Sequence, residues 1–190
     1  MNGIETPAAR CRIRRARAGL VVVDIQERFA PVIHDWPRLI QNTLRLIRGV
    51  RILKLPILCT EQHPKGLGGT VPEIAAELSD PSTLHKNEFD CCAATGFLEA
   101  LRARGIEDVI LCGIEAHVCV CQTALGLLEA GLRPFVVADA VSSRTPENVR
   151  YGLERARDAG AVVVSTEMIL FELLQRAGSD EFKQILALVK

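Results

Sequence analysis

Cys119 is the residue in this chain best placed for chemistry. It follows a short apolar run, Val109-Ile110-Leu111-Cys112, a break at Gly113 and a polar elbow, Ile114-Glu115-Ala116-His117-Val118. After it, Cys119, Thr123, Ala124, Leu127 and Leu128 recur three and four apart, a helical spacing. A buried strand, a tight turn and a helix start are thus predicted in succession. The free N–H groups and positive dipole end of such a helix favour thiolate over thiol and can hold a developing oxyanion. Cys119 is therefore the candidate nucleophile.

A cysteine nucleophile needs a proton acceptor and a positive charge near it. Asp24 closes the apolar run Ala18 to Ile25, and Lys86 closes Thr83 to Lys86. A carboxylate at the end of a buried strand is expensive to desolvate without a partner. Asp24 is expected to take the thiol proton. Lys86 is expected to steady the thiolate and the carboxylate. Cys119 would then attack a carbonyl to give an acyl-enzyme that water releases. Backbone N–H groups at the elbow would hold the tetrahedral oxyanion, a contact worth about 3–4 kcal/mol.

The elements that must bring these residues together follow a regular alternation. Apolar, β-branched runs are predicted as strands at Ala18 to Ile25, Pro56 to Thr60, Thr83 to Lys86, Val109 to Cys112, Pro134 to Asp139 and Ala161 to Ser165. Helical patterns lie between and after them, at Pro37 to Leu53, Val71 to Leu78, Thr95 to Arg104, Cys119 onward, Pro146 to Ala159, Thr166 onward and Asp180 to Val189. Glu61 to Thr70 reads as a Gly/Pro-rich loop and Ala140 to Thr145 as a polar loop. Strands alternating with helices predict an α/β fold, a parallel sheet covered on both faces. Ligands of such sheets bind beyond the carboxyl ends of the strands, where Asp24, Lys86 and Cys119 all fall.

Composition narrows the rest. The 190 residues suit one domain over 18–190, preceded by a basic extension over 1–17 that carries five arginines against Glu5. That extension is read as solvated, with an organelle-targeting segment as the alternative. Lys and Arg number 23, as do Asp and Glu, so no net field draws nucleic acid or an anionic membrane. No apolar run approaches the ~20 residues of a membrane span. Seven cysteines at irregular spacings, with no CxxC pair, indicate free thiols in a reducing compartment. The expected location is cytoplasmic, or mitochondrial if the Arg-rich start is a targeting segment.

Three stretches carry a family resemblance. They are Val21-Val22-Val23-Asp24-Ile25-Gln26 with Phe29, then His85-Lys86-Asn87-Glu88-Phe89, then Gly113-Ile114-Glu115-Ala116-His117-Val118-Cys119. In that order they resemble the isochorismatase-like cysteine hydrolase superfamily. Thr60 to Gly68 with Thr70-Val71-Pro72-Glu73 resembles its isochorismatase domain-containing branch. The resemblance implies a three-layer, doubly wound, six-stranded parallel sheet of order 3-2-1-4-5-6 and a triad of Asp24, Lys86 and Cys119. It also implies a cis peptide at Ile114–Glu115, with the N–H groups of Glu115 and Cys119 as oxyanion donors. The presence of Cys119 implies amidase-like chemistry on a small-molecule substrate rather than vinyl-ether cleavage. The resemblance also implies a homo-oligomer.

Gln26, Phe29, Gln62, Phe89 and His117 are the candidate pocket residues, and Glu115 is an unusual acid for the elbow. The loop after the second strand offers His63 with Glu61, too few ligands for a catalytic metal, so neither a metal nor another cofactor is expected. The alternative reading is a non-catalytic binding member of the same fold. A third is ribonuclease activity, against which the zero net charge counts.

Overall fold

A computed structural model describes residues 6–78 and 83–190; the first five residues of the basic extension lie outside these. Its strands are β1 (Ala18–Val23), β2 (Ile57–Gln62), β3 (Thr83–Lys86), β4 (Asp108–Ile114), β5 (Arg133–Ser142) and β6 (Val162–Val164). Its helices are α1 (Pro7–Cys11), α2 (Trp36–Ile52), α3 (Pro64–Leu67), α4 (Pro72–Ala75), α5 (Phe97–Ala103), α6 (Cys121–Glu129), α7 (Pro146–Asp158), α8 (Thr166–Leu174) and α9 (Asp180–Val189). The sheet is parallel throughout and runs β3-β2-β1-β4-β5-β6.

The strands are apolar on both sides because both sides are covered. Leu20 and Val22 of β1, with Ile110 and Cys112 of β4, pack against Leu39, Leu46, Ile47 and Val50 of α2 and Leu170 and Leu173 of α8. Val21 and Val23, with Val109 and Leu111, pack on the other side against Phe97 and Leu101 of α5 and Ala124 and Leu127 of α6. Each fully buried Leu, Ile or Val contributes about 1.5–3 kcal/mol, so the two clusters hold the layers together. Thr145, Ser165 and Ser179 cap α7, α8 and α9 by accepting the N–H groups of Asn148, Met168 and Phe182.

Three boundaries differ from the sequence reading. Val71 to Leu78 gives only the four-residue α4. The strand expected to end at Asp139 continues to Ser142, and Ala140 to Ser143 are buried rather than a solvated loop. There, Ser142 Oγ donates to the carbonyl of His34, and the His34 N–H donates to the carbonyl of Ser143 at 2.8 Å. The third difference lies at the elbow and concerns the site.

The end of the basic extension is docked rather than solvated. Ile13 joins the α2-side core. Arg14 pairs with Asp108 at 2.6 Å and with Glu107 at 3.1 Å, and Arg15 pairs with Glu181 at 2.7 Å. Asp108 is fully buried at the start of β4. Burial pushes its carboxyl up, but hydrogen bonds from Arg14 and Arg133 outweigh that and hold it below the usual carboxylate range.

At Gly113 the backbone of β4 lies close against Val23 of β1. The φ of Gly113 is +121°, and a Cβ there would sit 2.1 Å from the carbonyl oxygen of Val23. Gly131 has φ +77° but open space around it. Gly113→Ala is expected to destabilise the fold by about 3 kcal/mol or more, through clash and backbone strain together. Gly131→Ala should lose only about 1–2 kcal/mol, from backbone strain alone. Urea unfolding of the two variants checks the difference; equal losses would remove the close approach as its cause.

Candidate active site

The strand order reverses beside β1, with β2 on one side and β4 on the other, so a crevice opens at their carboxyl ends. Asp24 follows β1 directly and adopts a left-handed conformation, φ +54°. It is 1% exposed. Lys86 ends β3 and is 4% exposed. Its ammonium donates to Asp24 Oδ2 at 2.6 Å, to Gln62 Oε1 at 2.7 Å and to the carbonyl of Glu88 at 3.2 Å. All three of its protons therefore have acceptors, the condition for keeping a buried ammonium charged. Burial pulls this ammonium's pKa down, but the Asp24 carboxylate, joined by Cys91 and Cys119 where those thiols ionise at high pH, outweighs burial and raises it.

Cys119 reaches the same place from β4. The Ile114–Glu115 peptide bond is cis. Ala116–Val120 then form a π-helical turn instead of the first turn of a regular helix, and α6 begins only at Cys121. The N–H of Val120 donates to the carbonyl of Glu115 at 3.2 Å, five residues back. The backbone of α7 presses on this turn at Gly152, where a Cβ would lie 2.5 Å from the carbonyl oxygen of Ala116. Cys119 is 6% exposed, and its thiol lies within reach of the Asp24 and Lys86 charges.

The thiol is not pre-ionised, contrary to the expectation from a helix start. Burial pushes the Cys119 thiol up to about 12, the Asp24 carboxylate adds to this, and Lys86 opposes it only in part. At neutral pH the resting site is thus a thiol beside a carboxylate and an ammonium. Cys59 and Cys91 are likewise raised by burial, to about 12 and about 11. These groups hold protons in the fold that the unfolded chain releases above roughly pH 8.5. Their contribution to stability is therefore full below that pH and lost as pH rises toward 12. The urea midpoint is expected to be level from pH 6 to 8 and to fall steadily from pH 9 to 10.5; a level profile to pH 10.5 would contradict it.

The other sequence candidates fall in different places. Gln62 lies in the cluster, donating from Nε2 to the carbonyl of Asn87 at 2.7 Å while its Oε1 holds Lys86. Gln26, a candidate pocket residue, lies between β1 and the loop after β2. It is fully buried, and its amide is occupied by the backbone of Gln62 and Gly68, tying the loop after β2 to β1. Phe29 is half-buried against the α2-side core. Phe89 is 54% exposed, just beyond Lys86. His117 Nδ1 meets Ser143 Oγ at 3.0 Å. Glu115 pairs with Arg144 at 2.7 Å. Glu61 is held by Thr70 and by His85, the latter at 3.3 Å, and His63 Nδ1 faces Asn87 Oδ1.

The sequence reading missed Thr60. Its hydroxyl donates to Asp24 Oδ1 at 2.7 Å, and Cys91 Sγ approaches that hydroxyl at 3.9 Å. A threonine in a β-branched run looks like any strand residue, so only the register of β2 beside β1 reveals it; Val23 pairs with Thr60.

A family model for the isochorismatase domain matches residues 18–168. The chain belongs to the isochorismatase family. Within that family it is 42% identical over 167 residues to isochorismatase domain-containing protein 2 of Danio rerio, covering 87% of this chain and 83% of the relative. Among solved structures it is similar to the MAR1 ribonuclease of Caenorhabditis elegans, with TM-score 0.87, 38% identity and coverage of 94% and 92% of the two chains. Two YcaC proteins each match with TM-score 0.87 and 25% identity. The one from Pseudomonas aeruginosa, solved with hexane-2,5-diol and covalent acrylamide, covers 93% of this chain and 91% of its own. The one from Escherichia coli, covering 93% and 88%, is described as an octameric hydrolase of unknown specificity. Members of the isochorismatase family can thus assemble into oligomers. In the present chain, no helix among the described residues is long and apolar enough to cross a membrane.

Proposed function

We propose that this protein is a cysteine hydrolase that cleaves a small amide or related carbonyl compound through an acyl-enzyme. The observation that carries the reading is the buried, hydrogen-bonded pair of Asp24 and Lys86 at the ends of β1 and β3, with the buried thiol of Cys119 brought within reach of both charges by the π turn after β4. Asp24 takes the Cys119 proton as the sulfur attacks the carbonyl carbon. Concerted transfer suits a thiol that is protonated at rest. Lys86 holds the carboxylate and offsets the charge that builds on sulfur. The N–H groups of Glu115 and Cys119 receive the oxyanion. The proton then passes from Asp24 to the leaving amine, and Asp24 next activates the water that releases the acid. No metal or other cofactor takes part in this scheme.

Covalent acrylamide on the P. aeruginosa YcaC protein supports a reactive nucleophile in this fold. Phe89 and His117 are the proposed pocket residues, and a homo-oligomer is the proposed assembly. The free cysteines support a reducing, cytoplasmic setting. The nematode relative's name raises RNA as a substrate. Zero net charge favours the small-molecule reading over it, since RNA binding draws on a basic surface. A panel of small amides, with an RNA oligonucleotide alongside, tests the proposal. Ammonia or amine release that Cys119→Ala abolishes is expected. Thermal stabilisation by a compound that is never turned over would favour a binding protein, and RNA cleavage alone would replace the amidase reading.

A further inference from the structure

We propose that Thr60 is a positioning residue of the site, whose hydroxyl fixes the Asp24 carboxylate and thereby sets how readily Cys119 gives up its proton. This rests on the reading of Cys119 as nucleophile and Asp24 as its acceptor, and it adds a residue that neither the sequence motifs nor the family resemblance assigns.

Cys91 Sγ approaches Thr60 Oγ1 at 3.9 Å as a donor, and Thr60 Oγ1 donates to Asp24 Oδ1 at 2.7 Å. Thr60 has one hydroxyl proton, and it is committed to the carboxylate. Cys91 is itself placed by its N–H, which donates to Thr123 Oγ1 at 3.0 Å. The other carboxylate oxygen is taken by Lys86 at 2.6 Å. Each oxygen of Asp24 therefore has one strong donor, Thr60 of β2 on Oδ1 and Lys86 of β3 on Oδ2. The plane of the carboxylate is fixed between them before Cys119 meets it.

Thr60 is 1% exposed, so water does not replace its hydroxyl readily. The groups facing Asp24 from the packed elements are Lys86 on β3, Cys59 and Thr60 on β2, Cys91 after β3, and Cys119 on the π turn. Among the described residues of this cluster, Thr60 and Lys86 donate directly to the carboxylate oxygens. Removing the hydroxyl takes away positive potential beside a carboxylate that already disfavours the thiolate of Cys119. Cys119 should then ionise less readily at every pH.

The test needs no substrate. The rate of Cys119 carbamidomethylation by iodoacetamide is followed from pH 7.5 to 10.5 in the full chain, with the site assigned by peptide mass and Cys119→Ala as the blank. Thr60→Val and Thr60→Ala are each expected to slow it about three- to tenfold at pH 8.5, the worth of one hydrogen bond. The profile should move toward higher pH, and Thr60→Ser should restore the wild-type curve. Unmoved profiles in the hydroxyl-free variants would overturn the assignment. So would their failure to fold alongside a folded Thr60→Ser, which would make the hydroxyl structural. If no amide in the panel is hydrolysed yet these profiles shift, the hydrolase reading fails and the Thr60 assignment stands.

Discussion

Lys86→Met is expected to destabilise the fold by about 3–5 kcal/mol. The Lys86 and Asp24 side chains are 0% and 1% exposed and meet at 2.6 Å. Taking away the ammonium leaves a carboxylate in a site closed to water, and it also frees Gln62 Oε1 and the carbonyl of Glu88. That uncompensated charge, rather than the lost attraction, supplies most of the penalty. The double variant Asp24→Asn/Lys86→Met removes both charges at similar volume, so it should be more stable than Lys86→Met alone. Urea unfolding at neutral pH, with m-values compared, checks the pair. A Lys86→Met loss below about 1 kcal/mol would mean that the two groups are not held together in a dry site.

The second large effect is on rate. Asp24→Asn keeps the shape of the side chain and removes its capacity to accept the Cys119 proton. Turnover on any amide found in the panel should fall by about 10²–10⁴-fold, the usual contribution of a positioned base. The loss should appear in kcat, with KM changed little, because the proton moves only as the transition state forms. The variant also leaves Lys86 without its counter-charge, so the comparison is made under conditions where circular dichroism shows both proteins folded. A kcat within threefold of wild type would take Asp24 out of the chemistry.

The layers of this fold were legible because their cause is local. Runs such as Leu20-Val21-Val22-Val23 are apolar at every position, which only a strand covered on both faces requires. Once the sheet is parallel, residues at strand ends converge, and Asp24 and Lys86 could be named from position alone. The features that were misread depend on contacts across the chain. The spacing from Cys119 onward is helical, yet the elbow forms a π turn pressed by α7 at Gly152. Ser142 and Ser143 look like loop residues, but hydrogen bonds with the backbone of His34 carry them inside.

The site was legible in part for the same reason. Residue types announced a carboxylate base, an ammonium and a thiol nucleophile. Their ionisation was not announced, because burial and the placement of Asp24 beside the sulfur decide it, and both are long-range. Gln26 illustrates the limit: its residue type in a motif does not reveal that its amide joins two backbone segments. Thr60 illustrates the converse, a strand residue whose hydroxyl belongs to the site.

The proposed mechanism has Cys119 form a covalent acyl intermediate with help from Asp24. Intact-mass spectrometry of the protein, acid-quenched during turnover of an amide from the panel, tests it most directly. One added acyl mass is expected, mapped to Cys119, absent in Cys119→Ala and formed far more slowly in Asp24→Asn. Full turnover by Cys119→Ala, or an adduct mapped to another residue, would contradict it.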